Sequence, residues 1–299
     1  MQSFLQNIIN GVAQGSVYAL VALGYTMVYG VLQFINFAHS DIFMIGAFVG
    51  IYAAKWTNGY FPPIVQVMVV TLCAMAFCVA LALTIERIAY RPLRTAPRLN
   101  VLITAIGISL LLENGGQVIF GADPRQFPSL LSTTSLLNSD ELVLNNIQLT
   151  VILVSALLMV ILHWVVHHTK LGTAMRAVSF DIEIASLMGI PTNQVIVFTF
   201  AIGASLAGCA SVLYGLSYPK IEPLLGVMIG LKAFVAAVFG GIGNIMGAAI
   251  GGIILGLAES FAVYYISSSF RDAIAFGLLI LILLFRPAGL LGTFRREKV

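Results

Sequence analysis

Long apolar runs separated by short polar interruptions are the main feature of this chain. A helix that crosses a bilayer needs about 20 predominantly apolar residues. Read on that scale, candidate segments lie at residues 8–32, 63–89, 101–120, 147–167, 195–216, 247–266 and 273–285. Two further runs, 42–54 and 225–239, are too short to cross when straight, and read as half-helices, tilted helices or re-entrant segments. The pattern predicts an all-α fold: a polytopic transmembrane helix bundle of eight to ten segments, including short or broken helices. No long polar linker divides it, so residues 1–299 are expected to form a single membrane-spanning domain.

Composition supports that assignment. Only 9% of the 299 residues are charged, and the mean hydropathy is +1.01. Soluble domains carry about 25% charged residues, so an ordinary globular surface is excluded. A net charge of +3, with the basic residues gathered in particular loops, argues against a nucleic-acid partner. Those loops orient the chain. Arg87, Arg91, Arg94 and Arg98 form one group, Lys170 and Arg176 a second, and Arg286, Arg295, Arg296 and Lys298 a third. Short loops rich in Lys and Arg stay on the cytoplasmic side. The gap 121–146 sets Arg125 against Asp123, Asp140 and Glu141 and suits the outer face. The N-terminus lacks the basic region of a cleaved signal peptide, so the first apolar run is expected to remain as a helix. Cys73, Cys78 and Cys209 lie in apolar runs without metal-ligand spacing and read as small buried hydrophobes.

Enzymatic chemistry is hard to find. None of the five lysines follows a glycine, so the phosphate-binding Gly-Lys-Ser/Thr turn is absent. There is neither a Gly-x-Ser-x-Gly nucleophile elbow nor a His-Glu-x-x-His metal site. His167 and His168 are adjacent and point to different sides of a helix. No catalytic residue and no metal site are expected.

Four features remain. "INFAHSD" (residues 35–41) interrupts an apolar run with Asn36, His39, Ser40 and Asp41. Ser40 and Asp41 are placed to cap the short helix that follows. The break is either a simple helix boundary or a lining of a polar path. "SFDIEIASLMGIP" (179–191) reads as a short helix with Ser179 as its cap. Asp181 and Glu183 fall at its positive end, Gly189 is its left-handed stop, and Pro191 blocks continuation. Ile182, Ala185 and Met188 share a face that either docks into another protein or rests on the bilayer. "FGGIGNIMGAAIGGIILG" (239–256) holds two small-xxx-small pairs, Gly247 with Gly251 and Gly252 with Gly256. Its "GGIGN" turn, with Gly240, Gly241 and Asn244, breaks a helix where only protein or a water-filled cavity can cover the backbone. Finally, Glu113, Lys232 and Glu259 lie inside apolar segments, where an unpaired charge costs roughly 2.5–3.5 kcal/mol. Lys232 with Glu259 is the expected pair.

At these residues the chain resembles permeases of the LivH type, from branched-chain amino acid ABC importers. The likeness runs through nearly the whole length. It rests on "GSVYALVALGYTMVYG" (15–30), INFAHSD, "ERIAYRPLR" (86–94), "GLKAFVAAVFGGIGNIMGA" (230–248) and "RPAGLLG" (286–292). Ser40 departs from the family pattern, which has glycine there. The resemblance implies a subunit of the bacterial inner membrane that imports leucine, isoleucine and valine. Its partners would be a second homologous permease, two ABC ATPase subunits, a periplasmic substrate-binding protein and membrane lipid. It implies no cofactor on this chain, since ATP and Mg would be bound by the ATPases. Residues 168–191 would form a cytoplasmic coupling loop, with Arg176, Asp181, Glu183, Ala185, Gly189 and Pro191 receiving the ATPase stroke. Asn36, His39, Ser40, Asp41, Lys232, Gly240, Gly241, Asn244 and Glu259 are the candidates for the translocation path. A urea, short-amide or other amino-acid permease of the same family is the nearest alternative. A stand-alone secondary transporter, coupled through Glu113, Lys232 and Glu259, is a more distant one.

Overall fold

A computed structural model of the chain describes residues 2–94, 96–139 and 142–292. Arg295, Arg296, Lys298, Asp140 and Glu141 of the orientation argument lie outside the described residues. Within them run α1 (Gln2–Leu32), α2 (His39–Trp56), α3 (Pro63–Ile85), α4 (Arg98–Phe120), α5 (Asn146–His168) and α6 (Lys170–Phe180). They continue with α7 (Ile182–Leu187), α8 (Thr192–Ser217), α9 (Leu225–Gly240), α10 (Ile245–Tyr265) and α11 (Arg271–Phe285). Short strands β1 (Arg125–Gln126) and β4 (Lys220–Ile221) pair antiparallel, as do β2 (Ser135–Ser139) and β3 (Leu142–Asn145).

Among the described residues seven helices are long and apolar enough to cross a membrane: α1, α3, α4, α5, α8, α10, and α11 with the turn before it. With α2 and α9 packed among them, nine bundle helices fall inside the expected eight to ten. The chain is a multi-pass, all-α membrane protein.

α1 is the axis. Of its spanning stretch 83% is buried, against 11% for α4 and for α11, whose outward apolar faces need lipid or another subunit to cover them. The glycines of α10 explain how the centre closes. A methyl at Gly252 or Gly256 would run into the α1 backbone at Ala19 or Gly15, and one at Gly247 or Gly251 would run into α9 at Gly240 or Ala236. The two small-xxx-small pairs therefore serve two different neighbours, each at backbone contact.

The two ends of the bundle separate as the charges require. At one end Arg94 Nη1 donates to Asn193 Oδ1 (2.5 Å), Gln33 Nε2 donates to the Ser179 carbonyl (3.2 Å), and the Leu290 N–H donates to the Phe239 carbonyl (2.9 Å). The three basic groups thus share that end through their described members. At the other end Arg125 donates to the Tyr52 hydroxyl (2.7 Å), and the Phe127 N–H donates to the Pro219 carbonyl (2.7 Å).

Two helix starts differ from expectation. α2 begins at His39, three residues earlier than the apolar run, and neither Ser40 nor Asp41 caps it. The tight turn does that work with backbone alone: the His39 N–H donates to the Asn36 carbonyl, and those of Asp41 and Ile42 to the Ala38 carbonyl. Ser179 is likewise not a cap. It lies in the last turn of α6, and Asp181 caps α7 by accepting from the Ile184 N–H (2.9 Å).

Candidate functional site

The INFAHSD turn folds back into the bundle. His39 lies against Gly24, eight residues before the end of α1, which is roughly 12 Å along a helix rising 1.5 Å per residue. The first turn of α2 is therefore at membrane depth. Each polar residue in it has its own surroundings. Asn36, 2% exposed, accepts a 2.6 Å hydrogen bond from the Tyr90 hydroxyl. Tyr90 belongs to a π-helical turn, Glu86–Tyr90, stacks on Phe200 and meets Phe34 at a tilt. Two separate sequence motifs, INFAHSD and ERIAYRPLR, are thereby joined. The His39 ring is edge-on to Tyr25, its centroid 5.0 Å away, and its buried Nε2 has no hydrogen-bond partner.

Ser40 donates to the Phe37 carbonyl (3.0 Å) and sits on the bare face of Gly230. The departure from glycine at this position is absorbed by the glycine opposite it on α9. Asp41 is fully buried; its Oδ2 accepts from Ser109 Oγ (2.5 Å), and its Oδ1 is unpartnered beside Gly226. Ser109 is the middle residue of α4, and its partnership was not foreseen. The one local signal was the i, i+4 spacing of Ser109 and Glu113, which sets both on one helix face.

The Lys232–Glu259 pair is present. Lys232 Nζ lies 3.0 Å from Glu259 Oε1, an ion-pair contact rather than a directed hydrogen bond, and 2.8 Å from Asp272 Oδ1. Glu259 is fully buried, and its Oε2 accepts from Gln14 (2.9 Å) and Tyr18 (3.0 Å), with Arg271 Nε at 3.9 Å. Two cations and two carboxylates balance in this cluster, which ties α1, α9, α10 and α11 together. On its outer side Gln14, Tyr218 and Arg271 reach a cavity of about 560 Å³ bounded by α1, α5, α8 and residues 127–133.

The GGIGN turn is at the basic end. Gly241 and Gly243 have φ of +107° and +92°, a region closed to most side chains. Asn244 caps α10 by accepting from the Gly247 N–H (3.0 Å), and its Nδ2 donates to the Leu291 carbonyl (2.8 Å). A methyl at Gly240 would overlap the Gly247 carbonyl, and one at Gly241 would sit 2.5 Å from Gly292 N. The turn is thus covered by the RPAGLLG segment. Gly240, Gly241 and Asn244 line neither the 560 Å³ cavity nor a smaller one between α4 and α9.

The segment after α5 forms an elbow of α6 and α7. Arg176 turns back, donating to the Val166 carbonyl at the end of α5 and to Thr173 (3.3 Å). Ala185 is buried, Glu183 is exposed, and Gly189 at φ +83° closes α7 with paired bonds, Gly189 N–H to Ser186 and Ile190 N–H to Ala185. That is the glycine stop read from the sequence. Pro191 then leads into α8. Of the predicted face Ile182–Ala185–Met188, only Ala185 packs inward. Leu187 and Met188, 86% and 77% exposed, project from the elbow instead.

Residues 7–283 match the family described as branched-chain amino acid transport system / permease component. The chain is 44% identical to the high-affinity branched-chain amino acid transport system permease protein LivH of Salmonella typhimurium, covering 99% of this chain and 98% of that one. It is 42% identical, with the same coverage, to the corresponding protein BraD of Pseudomonas aeruginosa. A more distant likeness, 23% identity over 80% of this chain, is to the fructose import permease protein FruG of Bifidobacterium longum. With its motifs joined in one bundle and this identity over its whole length, the chain belongs to the permease components of branched-chain amino acid transport systems.

Proposed function

We propose that this chain is one of two permease subunits of an ATP-driven importer that carries leucine, isoleucine and valine across the bacterial inner membrane. The observation that carries the reading is 44% identity, across 99% of the chain, to a permease of that named transport system. A periplasmic binding protein would deliver the amino acid, and two partner ATPases would bind ATP and Mg, since this sequence has no Gly-Lys-Ser/Thr turn. Substrate and energy both come from partners, and this chain supplies the path.

Uptake of labelled leucine in cells lacking the chain should return when it is restored with its partners. Unlabelled valine should compete and urea should not. Uptake indifferent to the chain would remove the branched-chain reading and leave urea or short amides as the cargo to test.

Residues 168–191 are the segment proposed to receive the ATPase stroke. In that role Arg176, Asp181, Gly189 and Pro191 build the elbow, and Leu187 and Met188 are the side chains it presents. Because those two project from the elbow with most of their surface exposed, Leu187→Glu with Met188→Glu should leave the amount of membrane protein unchanged. Leucine uptake should nevertheless fall at least tenfold. Wild-type uptake in that variant would take α7 out of the docking surface.

A further inference from the structure

α4 and α9 flank a cleft of about 90 Å³. Phe37, Val227, Leu231 and Phe234 form its apolar walls, while Ser40, Ser109 and Glu113 are its polar side. Asp41 is not part of the lining; it stands behind Ser109, whose hydroxyl it holds. The charges here are unbalanced, unlike those of the Lys232–Glu259 cluster. Ser109 has one hydroxyl proton, given to Asp41 Oδ2 at 2.5 Å, and it lies 3.4 Å from Glu113 Oε1. Asp41 Oδ1 is wholly buried and unpartnered. None of the ion pairs among the described residues includes Asp41 or Glu113. Asp41, fully buried, and Glu113, half-buried on the cleft wall, therefore lack a cation, and Phe37, Val227, Leu231 and Phe234 line the cleft beside Glu113. Buried charges are stable when paired, so the site is complementary to a small cation bearing an aliphatic group.

We propose that this cleft receives the ammonium group of the translocated amino acid, with Glu113 facing it, Asp41 acting from behind through Ser109, and the aliphatic side chain lying along Phe37, Leu231 and Phe234. Glu113 and the two serine hydroxyls face the ammonium-bearing end, and the apolar walls take the side chain. The inference rests on the importer reading, and it adds Ser109 and Glu113 to the path while leaving Lys232 and Glu259 outside it.

The test uses the complete importer reconstituted in liposomes, measuring leucine moved per ATP hydrolysed. Glu113→Gln and Asp41→Asn should each lower that ratio at least tenfold, and Glu113→Asp should recover part of it. Ser109→Ala, which removes only the bridging hydroxyl, should lower it at least threefold and decides the matter should the carboxylate variants fail to assemble. A purely structural role would reduce complex yield and ATP hydrolysis together with transport, leaving the ratio unchanged, and that result overturns the proposal. So would a strict sodium or potassium requirement of the wild type that Glu113→Gln removes, because the occupant would then be an inorganic cation. A wild-type complex that moves no leucine would instead remove the branched-chain reading before any variant is compared.

Discussion

Lys232→Ala is expected to deplete the folded protein, and Lys232→Met combined with Glu259→Gln to restore most of it. Truncating Lys232 leaves Glu259 with full burial and no cation on Oε1, while Arg271 stays 3.9 Å away on the other oxygen. Removing one partner of a buried ion pair typically costs about 3–5 kcal/mol. That is a large share of the about 5–15 kcal/mol that holds a typical domain folded. Asp272, the second partner of Lys232, is half-exposed and can recover hydration, so the loss centres on Glu259. Replacing both members by uncharged groups of similar shape removes the orphaned charge and is often neutral or better. Monodispersity and melting of the purified protein measure the effect. A single variant with wild-type melting would show that the cluster contributes nothing to the fold. The folded double variant should take up leucine normally, because the cluster ties helices together and lies outside the path; a folded but inactive protein would overturn that assignment.

Gly24→Ala should be nearly as damaging, for a steric reason. The added methyl would overlap the His39 ring, and the Gly203 carbonyl, 3.1 Å away, limits any shift to the other side. His39 is 2% exposed and packed against Tyr25, so the ring has nowhere to go. Overpacking of this kind typically costs about 1–3 kcal/mol, and here it would also displace the first turn of α2. Two contacting residues should be strongly non-additive. Adding His39→Ala to Gly24→Ala should therefore recover part of the melting temperature that either variant alone has lost. Simple additivity would mean that the ring and the glycine face are not in contact.

Much of this architecture was legible along the chain. Apolar run length located nine bundle helices, because hydrocarbon tolerates only continuous apolar helix of sufficient reach. Basic loops marked one end, glycine spacing marked the faces of α10, and the cost of burying charge pointed from Lys232 to Glu259. The stop at Gly189 was equally plain, since few residues other than glycine occupy that backbone region. These are local signals, each written within one or two turns of helix, or, for the buried pair, between neighbouring segments.

The tertiary structure alone decided what the polar residues do. Ser40 and Asp41 are cap residues by type, yet the turn satisfies its own N–H groups with backbone carbonyls and leaves both side chains to other partners. Arg176, one of the basic loop residues, turns back to close the end of α5. Asn36 meets Tyr90 across 54 positions, and Asp41 meets Ser109 across 68. Spacing determines which residues share a helix face. It cannot determine which face of a distant helix arrives opposite, because that follows from how the glycine contacts let the bundle close. Helices and ends were set by sequence; the partners of each buried polar group were set by packing.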